Sequence, residues 1–270
     1  MSKKKIGECL LTGEFGPYIK SHILPASLTK PEFSGGMLFQ HGAGRRAQKR
    51  RTSWYDPAMV VASGEKILSD LDDQGIRILR QHRLVWSGFG PATRVEPDIL
   101  ISDFAPDYKD YGLRKVQLSD PELLRRFFMS LLWRASASSL PEMQDVKLSQ
   151  EDEHRLKSYL TSGFDLPLNF FPISLTQHHD IGFRHNHTPI RRSKKISPFG
   201  DDSSPTVPIY RFYFDGLVAH FHDLSSTQVN DSFINALILG HGTELLVSCV
   251  PWKRSAQFET LVHVAEESLW

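Results

Sequence analysis

Four histidines fall within ten residues in the run TQHHDIGFRHNH at 176–187: His178, His179, His185 and His187, with Asp180 among them. Imidazole at that density suits a borderline metal such as Zn²⁺, Ni²⁺ or Cu²⁺. His220 and His222, two apart and so on one face of a strand, could complete such a site. The other reading is an exposed loop, with or without nucleic acid against it, since the run shows no helical or strand frame and a loose segment loses entropy when it chelates. A second stretch, GRRAQKRR at 44–51, puts Arg45, Arg46, Lys49, Arg50 and Arg51 in eight residues beside Trp54 and Tyr55. Clustered cations attract phosphate, and the rings could stack on a base or ribose; a merely solvated basic loop is the alternative. Arg191, Arg192, Lys194 and Lys195 form a further basic run. Hydrolase boxes of the Gly-x-Ser-x-Gly kind, Walker loops and dinucleotide fingerprints are absent, so nucleotide-dependent chemistry is not expected.

The elements that must position these groups read as α+β. Asp56 and Pro57 start a helix in the reading, with Met59, Val60, Ile67, Leu68 and Leu71 as its apolar face, Gly64 as an interruption and Gly75 as its end. IRILRQHRLVWSGFG then reads as one or two strands, and a loop rich in Pro and Asp follows over about 91–112. A strong helix begins at Ser119, Asp120 and Pro121 and carries Leu123, Leu124, Phe127, Phe128, Leu131 and Leu132; another spans about 149–161 between Ser149 and Gly163. IYRFYF at 209–214 and LVAHFH at 217–222 flank Asp215 and Gly216, a hairpin signal. Residues 233–239 and 244–250 read as a second strand pair, and Phe258, Leu261, Val262, Ala265 and Leu269 as one face of a final helix. Three parts result: 1–90, facing nucleic acid; 91–164, linker and helical core; and 165–270, an antiparallel sheet with its final helix, with one continuous domain as the alternative.

The chain has 270 residues, 32 Lys plus Arg against 31 Asp plus Glu, and 40% apolar residues, an ordinary globular composition able to bury a core. Residues 1–56 hold ten cations against four acids. Two isolated cysteines, Cys9 and Cys249, cannot build a disulfide framework, and no apolar run is long enough to be a leader or to span a membrane, so a cytoplasmic protein without membrane partners is expected.

The segment CLLTGEFGPYIKSHILPASL at 9–28 carries Lys20, Ser21, His22, Ile23, Leu24 and Pro25. It resembles bacterial HNH-like proteins of the treble-clef type, which carry a Cys-x-x-Cys knuckle, a Lys-Ser-His-Ile-Ile-Pro box and a second Cys-x-x-Cys-Glu at the start of a helix. VASGE at 61–65 falls where that second knuckle and its glutamate would sit, and SLLWR at 130–134 is also similar to the family. The resemblance implies a nucleic-acid-interacting protein, a nuclease in phage defence or a mobile-element setting, with His22 as general base and Glu65 as the carboxylate for Mg²⁺ or Mn²⁺, and with Asp56 and His41 as unplaced helpers. It departs at the knuckles: Thr12, Val61 and Gly64 replace three of the four cysteines, leaving Cys9, so structural zinc is not expected. Ser21 is also a poor ligand immediately before the base. The competing reading is therefore an inactive descendant that binds DNA, RNA or a protein partner, with His22 half-buried and its ring bonded to backbone near the 56–75 helix. A small-molecule enzyme built on the C-terminal sheet is a third class, with no motif behind it.

Overall fold

A computed structural model of the chain describes residues 5–31, 36–42, 44–103, 105–195, 205–226 and 233–269. The chain opens with a short hairpin of β1 (Ile6–Glu8) and β2 (Phe15–Pro17), whose connection turns tightly at Cys9–Gly13: Cys9 donates its N–H to Glu14 O at 2.8 Å and Gly13 donates to Cys9 O at 2.8 Å. β3 (Ile19–His22) follows, then the single turn α1 (Ala26–Thr29) after Pro25. β4 (Leu38–Gly42) and β5 (Arg45–Arg50) make an antiparallel ribbon, so the basic run is a strand and not a loop. β6 (Tyr55–Val60) pairs antiparallel with β3, bringing His22 opposite Tyr55 and Ser21 opposite Asp56.

Residues 56–60 are thus strand, where a helix was expected. The apolar residues Met59 and Val60 that suggested a helical face are buried β residues, and Asp56 does not cap α2. The helix α2 (Ala62–Gln81) begins only after Val61 and runs unbroken through Gly64 and Gly75. It also absorbs most of IRILRQHR, which had read as strand; the apolar pattern Leu68, Leu71, Ile76, Leu79 is its buried side. β7 (Ile99–Leu100) and β8 (Gly112–Gln117) lead into α3 (Pro121–Ala137). Asp120 caps α3 by accepting the Leu123 N–H at 2.9 Å, and nearly every residue from Leu124 to Ser136 is buried. Ser149 caps α4 (Gln150–Ser162), which ends at Gly163 in the left-handed region at φ 68°. Both helix ends fall where the sequence places them.

The remaining strands are β9 (Ile173–His178), β10 (His185–His187), β11 (Ile190–Lys195), β12 (Thr206–Phe214), β13 (Leu217–His222) and β14 (Glu244–Val250), before α5 (Ala256–Leu269). Seven of the chain's strands form one sheet in the order β11-β12-β13-β9-β14-β8-β7, antiparallel except for the parallel β14–β9 junction. The sheet takes β7 and β8 from the middle of the chain, so it is not confined to residues 165–270. β10 instead lies parallel to β4, with His185 opposite Phe39 and His187 opposite His41. The β12–β13 turn at Asp215 and Gly216 has φ of 49° and 80°, the pattern of a two-residue primed turn. A Cβ on Gly216 would come within 2.3 Å of the Trp86 ring, so the turn packs where only glycine fits. Of residues 233–239 only Ile238 makes a bridge, to Ser174. One apolar cluster runs from Cys9 to Val247 through α2, α3, α4 and the sheet, and a smaller one joins Trp86, Phe89, Tyr213, Val218 and Trp252. Among the described residues no helix is long and apolar enough to cross a membrane.

Candidate functional site

Cys9, Thr12, Val61 and Gly64 meet. Thr12 donates its N–H to Cys9 Sγ at 3.4 Å, and its hydroxyl lies 3.3 Å from Ser63 Oγ at the start of α2. Leu10 N–H binds Met59 O at 3.0 Å, fixing the turn against β6. Cys9 fills the space beside Gly64, where a Cβ would approach its sulfur to 2.6 Å. Burial alone would raise the Cys9 thiol, but hydrogen bonds involving Thr12, Val61 and Leu11 outweigh it and hold the thiol below its ordinary value. Residues 9, 12, 61 and 64 therefore stand around one point, held by a thiol packed against glycine and by hydrogen bonds.

The box residue His22 sits at the end of β3 beside α2 and α3. Its ring is half-buried and Nε2 lies 3.0 Å from Thr52 Oγ1, a side chain and not the backbone partner expected for a structural histidine. The backbone of His22 is what the core holds: Arg134 Nη1 donates to His22 O at 3.1 Å, while the same guanidinium binds both carboxylate oxygens of Asp72 at 3.1 and 2.5 Å. Burial, then the Arg134 charge, keep the His22 imidazole below its usual value and so neutral near pH 7. Glu65, one face of α2 with Asp72, is pushed upward by burial while the nearby Ser21 hydroxyl and Arg134 act against the shift; its Oε2 has no hydrogen-bond partner.

That donor set does not fit a divalent ion. Mg²⁺ takes oxygens at roughly 2.0–2.1 Å in an octahedron, with at least one ionised carboxylate. Here Glu65 is biased toward its neutral form, both Asp72 oxygens are engaged by Arg134, and the guanidinium itself supplies positive charge at the spot. Asp56 is also spent: it accepts from Ala58 N, Ser138 Oγ and Ser139 N at 2.9–3.0 Å, tying β6 to the end of α3.

The basic strand divides its cations by alternation. Arg46, Gln48 and Arg50 line a cleft with Gln40, His41, Trp54, Glu142 and Thr188, and Arg50 also donates to Gln48 Oε1. Among the described residues, Arg46, Lys49, Arg50 and Arg51 form no salt bridge. The aromatic neighbours are not free to stack: Trp54 is buried, and Lys20 Nζ covers the Tyr55 ring at 4.5 Å.

The histidine run is not an exposed loop. His178 ends β9, His185 and His187 form β10, and all four of its histidines are buried. They do not gather with Glu65, which belongs to the His22 neighbourhood, and among the described residues no group of three or more such side chains is already arranged to hold a metal. His179 donates from Nε2 to Asp110 O at 3.0 Å. His178 packs between Trp252 and Tyr213, with ring centroids 5.4 and 6.0 Å away. His185 and His187 instead meet His41, which the sequence left without a place: His41 stacks on His185 at 5.1 Å and stands edge-on to His187 at 4.6 Å. Burial, reinforced by the neighbouring imidazoles, drives His41 down to about 3. Burial likewise takes His185 and His187 to about 4, so all three rings are neutral. His220 and His222 form a separate group on β13, His222 Nε2 lying 2.9 Å from Ser174 Oγ and His220 Nδ1 3.4 Å from Lys194 Nζ.

Arg134 and Asp72 form a buried ion pair beside His22 that sequence reasoning passed over. The signal was present, because Arg134 falls on the apolar stripe with Phe127 and Leu131, where a charge must have a partner. No protein-family model, curated protein or solved structure matches the chain.

Proposed function

We propose that this chain is a nucleic-acid-binding protein built on an HNH-type unit from which the structural zinc has been lost, and that it grips phosphates rather than hydrolysing them. The observation that carries this reading is β5, which presents Arg46 and Arg50 on one face over a cleft that Glu142 also lines and Lys49 on the other, none of the three in a salt bridge among the described residues. Guanidinium groups outside any salt bridge meet a phosphate without first breaking an ion pair and can bind it bidentately. The meeting of Cys9, Thr12, Val61 and Gly64 supports the HNH ancestry, since those are the positions at which a treble clef carries its ligands. The metal-dependent nuclease is the second reading, favoured by the neutral His22 ring turned to Thr52, and weakened by the absence of a donor set suited to Mg²⁺ or Mn²⁺. The two buried unpaired thiols suit a reducing compartment such as the cytoplasm.

Binding of labelled duplex and single-stranded DNA and RNA across a salt series tests the proposal. Each phosphate neutralised on duplex DNA contributes about 0.9 to the slope of log affinity against log salt. The combined variant Arg46→Gln, Lys49→Gln, Arg50→Gln, Arg51→Gln is expected to flatten that slope, and an unchanged slope overturns the proposal. Cleavage that requires Mg²⁺ or Mn²⁺ and stops in His22→Ala would restore the nuclease.

A further inference from the structure

One half of the large sheet gathers cations without acids. β9, β11, β12 and β13 contain no Asp or Glu, yet they carry Arg191, Arg192, Lys194, Lys195 and Arg211. Alternation along β11 turns Arg192 and Lys194 to one face and Arg191 to the other. The register sets Ile190, Arg211, His220 and Ser174 in one row and Arg192, Ile209 and His222 in the next, all on the face of Lys194. The opposite face belongs to the main apolar cluster through Phe212, Ala219 and Phe221. Asp223, which follows β13, falls on that opposite side and lies 3.6 Å from Arg191.

Among the described residues Arg192, Lys194 and Arg211 enter no salt bridge. Lys194 Nζ meets His220 Nδ1 at 3.4 Å. As an ammonium Lys194 can only donate, so His220 Nδ1 carries the lone pair and Nε2 carries the proton. His220 is buried, and its Nε2 has no hydrogen-bond partner among the described residues. His222 beside it meets Ser174 Oγ at 2.9 Å through Nε2 and leaves a buried Nδ1 unpaired. Neighbouring cations repel, and burial adds to the cost: it holds Lys194 below an ordinary lysine, and burial followed by the Arg192 charge does the same to Arg211. The group therefore offers two guanidinium forks, an ammonium and an imidazole N–H, a set of donors that complements an oxyanion.

We propose that Arg192, Lys194, Arg211 and His220 form a site for a tetrahedral dianion, either inorganic phosphate or the terminal group of a phosphomonoester. Charge selects the dianion. Three cations with no carboxylate among the described residues to balance them are matched better by two negative charges than by the single charge of a phosphodiester. Arg192 is exposed and Lys194 and Arg211 are partly so, which leaves the ligand a way in from solvent above the buried His220. This site is independent of the His22 neighbourhood and of whether the β5 cations bind nucleic acid.

Calorimetric titration of the full chain with inorganic phosphate, phenyl phosphate and dimethyl phosphate tests the site. Inorganic phosphate is expected to bind once per chain, and the dimethyl diester at least about tenfold more weakly, the loss of one charge-assisted contact. Phenyl phosphate binding as tightly as the free ion assigns the monoester; its exclusion while inorganic phosphate binds assigns the free ion. Lys194→Met and Arg211→Gln should each weaken phosphate at least about tenfold, whereas Lys253→Gln, on an exposed lysine outside the sheet, should not. Urea midpoints give a second reading: phosphate should raise that of the wild type more than that of Lys194→Met, the difference removing any general effect of salt. No heat in the wild type, equal affinity for dimethyl phosphate, or unchanged affinity in folded Lys194→Met and Arg211→Gln overturns the proposal.

Discussion

Cys9 and Gly64 are complementary in shape: the sulfur occupies the space that any side chain at position 64 would need, with a Cβ there only 2.6 Å from it. Gly64→Ala adds helix propensity worth about 1 kcal/mol in an exposed helix interior, but overpacking a tight core contact costs about 1–3 kcal/mol. A net loss of stability is expected, read as a lower midpoint in urea. Placing cysteines there by Thr12→Cys, Val61→Cys and Gly64→Cys should give a chain that melts below wild type without metal and recovers on adding one equivalent of zinc. Failure of zinc to restore it would mean that the four positions cannot share an ion.

Arg134 bridges three elements through one guanidinium. Removing one member of a buried ion pair costs about 3–5 kcal/mol, because the partner charge is left unpaired, and Arg134→Ala also strands the His22 carbonyl. Arg134→Lys should recover only part of the loss, since an ammonium cannot serve both oxygens of Asp72 and the carbonyl together. Denaturant unfolding of both variants checks this; wild-type stability in Arg134→Ala would show the bridge to be inert.

His22→Ala is expected to cost about 1 kcal/mol or less, the net worth of one ordinary hydrogen bond, because the ring is half-buried and its partner is the Thr52 hydroxyl. The backbone contact to Arg134 survives the change. Melts alongside cleavage assays with Mg²⁺, Mn²⁺ and EDTA are the check. A loss of several kcal/mol would mean that the ring itself supports the core.

Acid should weaken the fold well above the range in which carboxylates titrate. His41 and His222 lie near 3, and His178, His185 and His187 near 4, against an ordinary 6.5. Each stays neutral when folded while its unfolded counterpart takes a proton below 6.5, so the unfolded state binds more protons and stability falls with pH. The loss begins below pH 6.5 and deepens as these groups take up protons in the unfolded chain but not in the folded one. Glu65 and Asp215, raised by burial, act in the opposite sense, but they are fewer. Urea midpoints should be flat above neutrality and fall steadily between pH 6.5 and 4; constant midpoints across that span would refute the assignment.

The α+β class, both ends of α4, the Asp120 cap and the Asp215–Gly216 turn were legible because each rests on local chemistry: a side-chain oxygen on an N–H, or a glycine at positive φ. Residues 56–60 were misread because Asp56 and Pro57 imitate a helix start, whereas tertiary pairing to β3 and the hydroxyls of Ser138 and Ser139 claim that aspartate. The histidine run looked like a loop because β10 has three residues, too few for an alternation to stand out. His41 could not be assigned at all, since a parallel pairing between residues 39–41 and 185–187 leaves no trace in the spacing of either segment.

β14 lies between β8 and β9, with 130 or so residues separating it from one neighbour and about 70 from the other along the chain. During synthesis every other strand of the large sheet leaves the ribosome first, and β8 and β9 must wait with open edges until residues 244–250 arrive. Such late, long-range closure makes for slow folding and leaves unpaired edges exposed to other nascent chains. Chains truncated ahead of Glu244 would lack an interior strand and not a dispensable tail, so incomplete products of this protein are substrates for chaperones and proteases rather than shorter working versions of it.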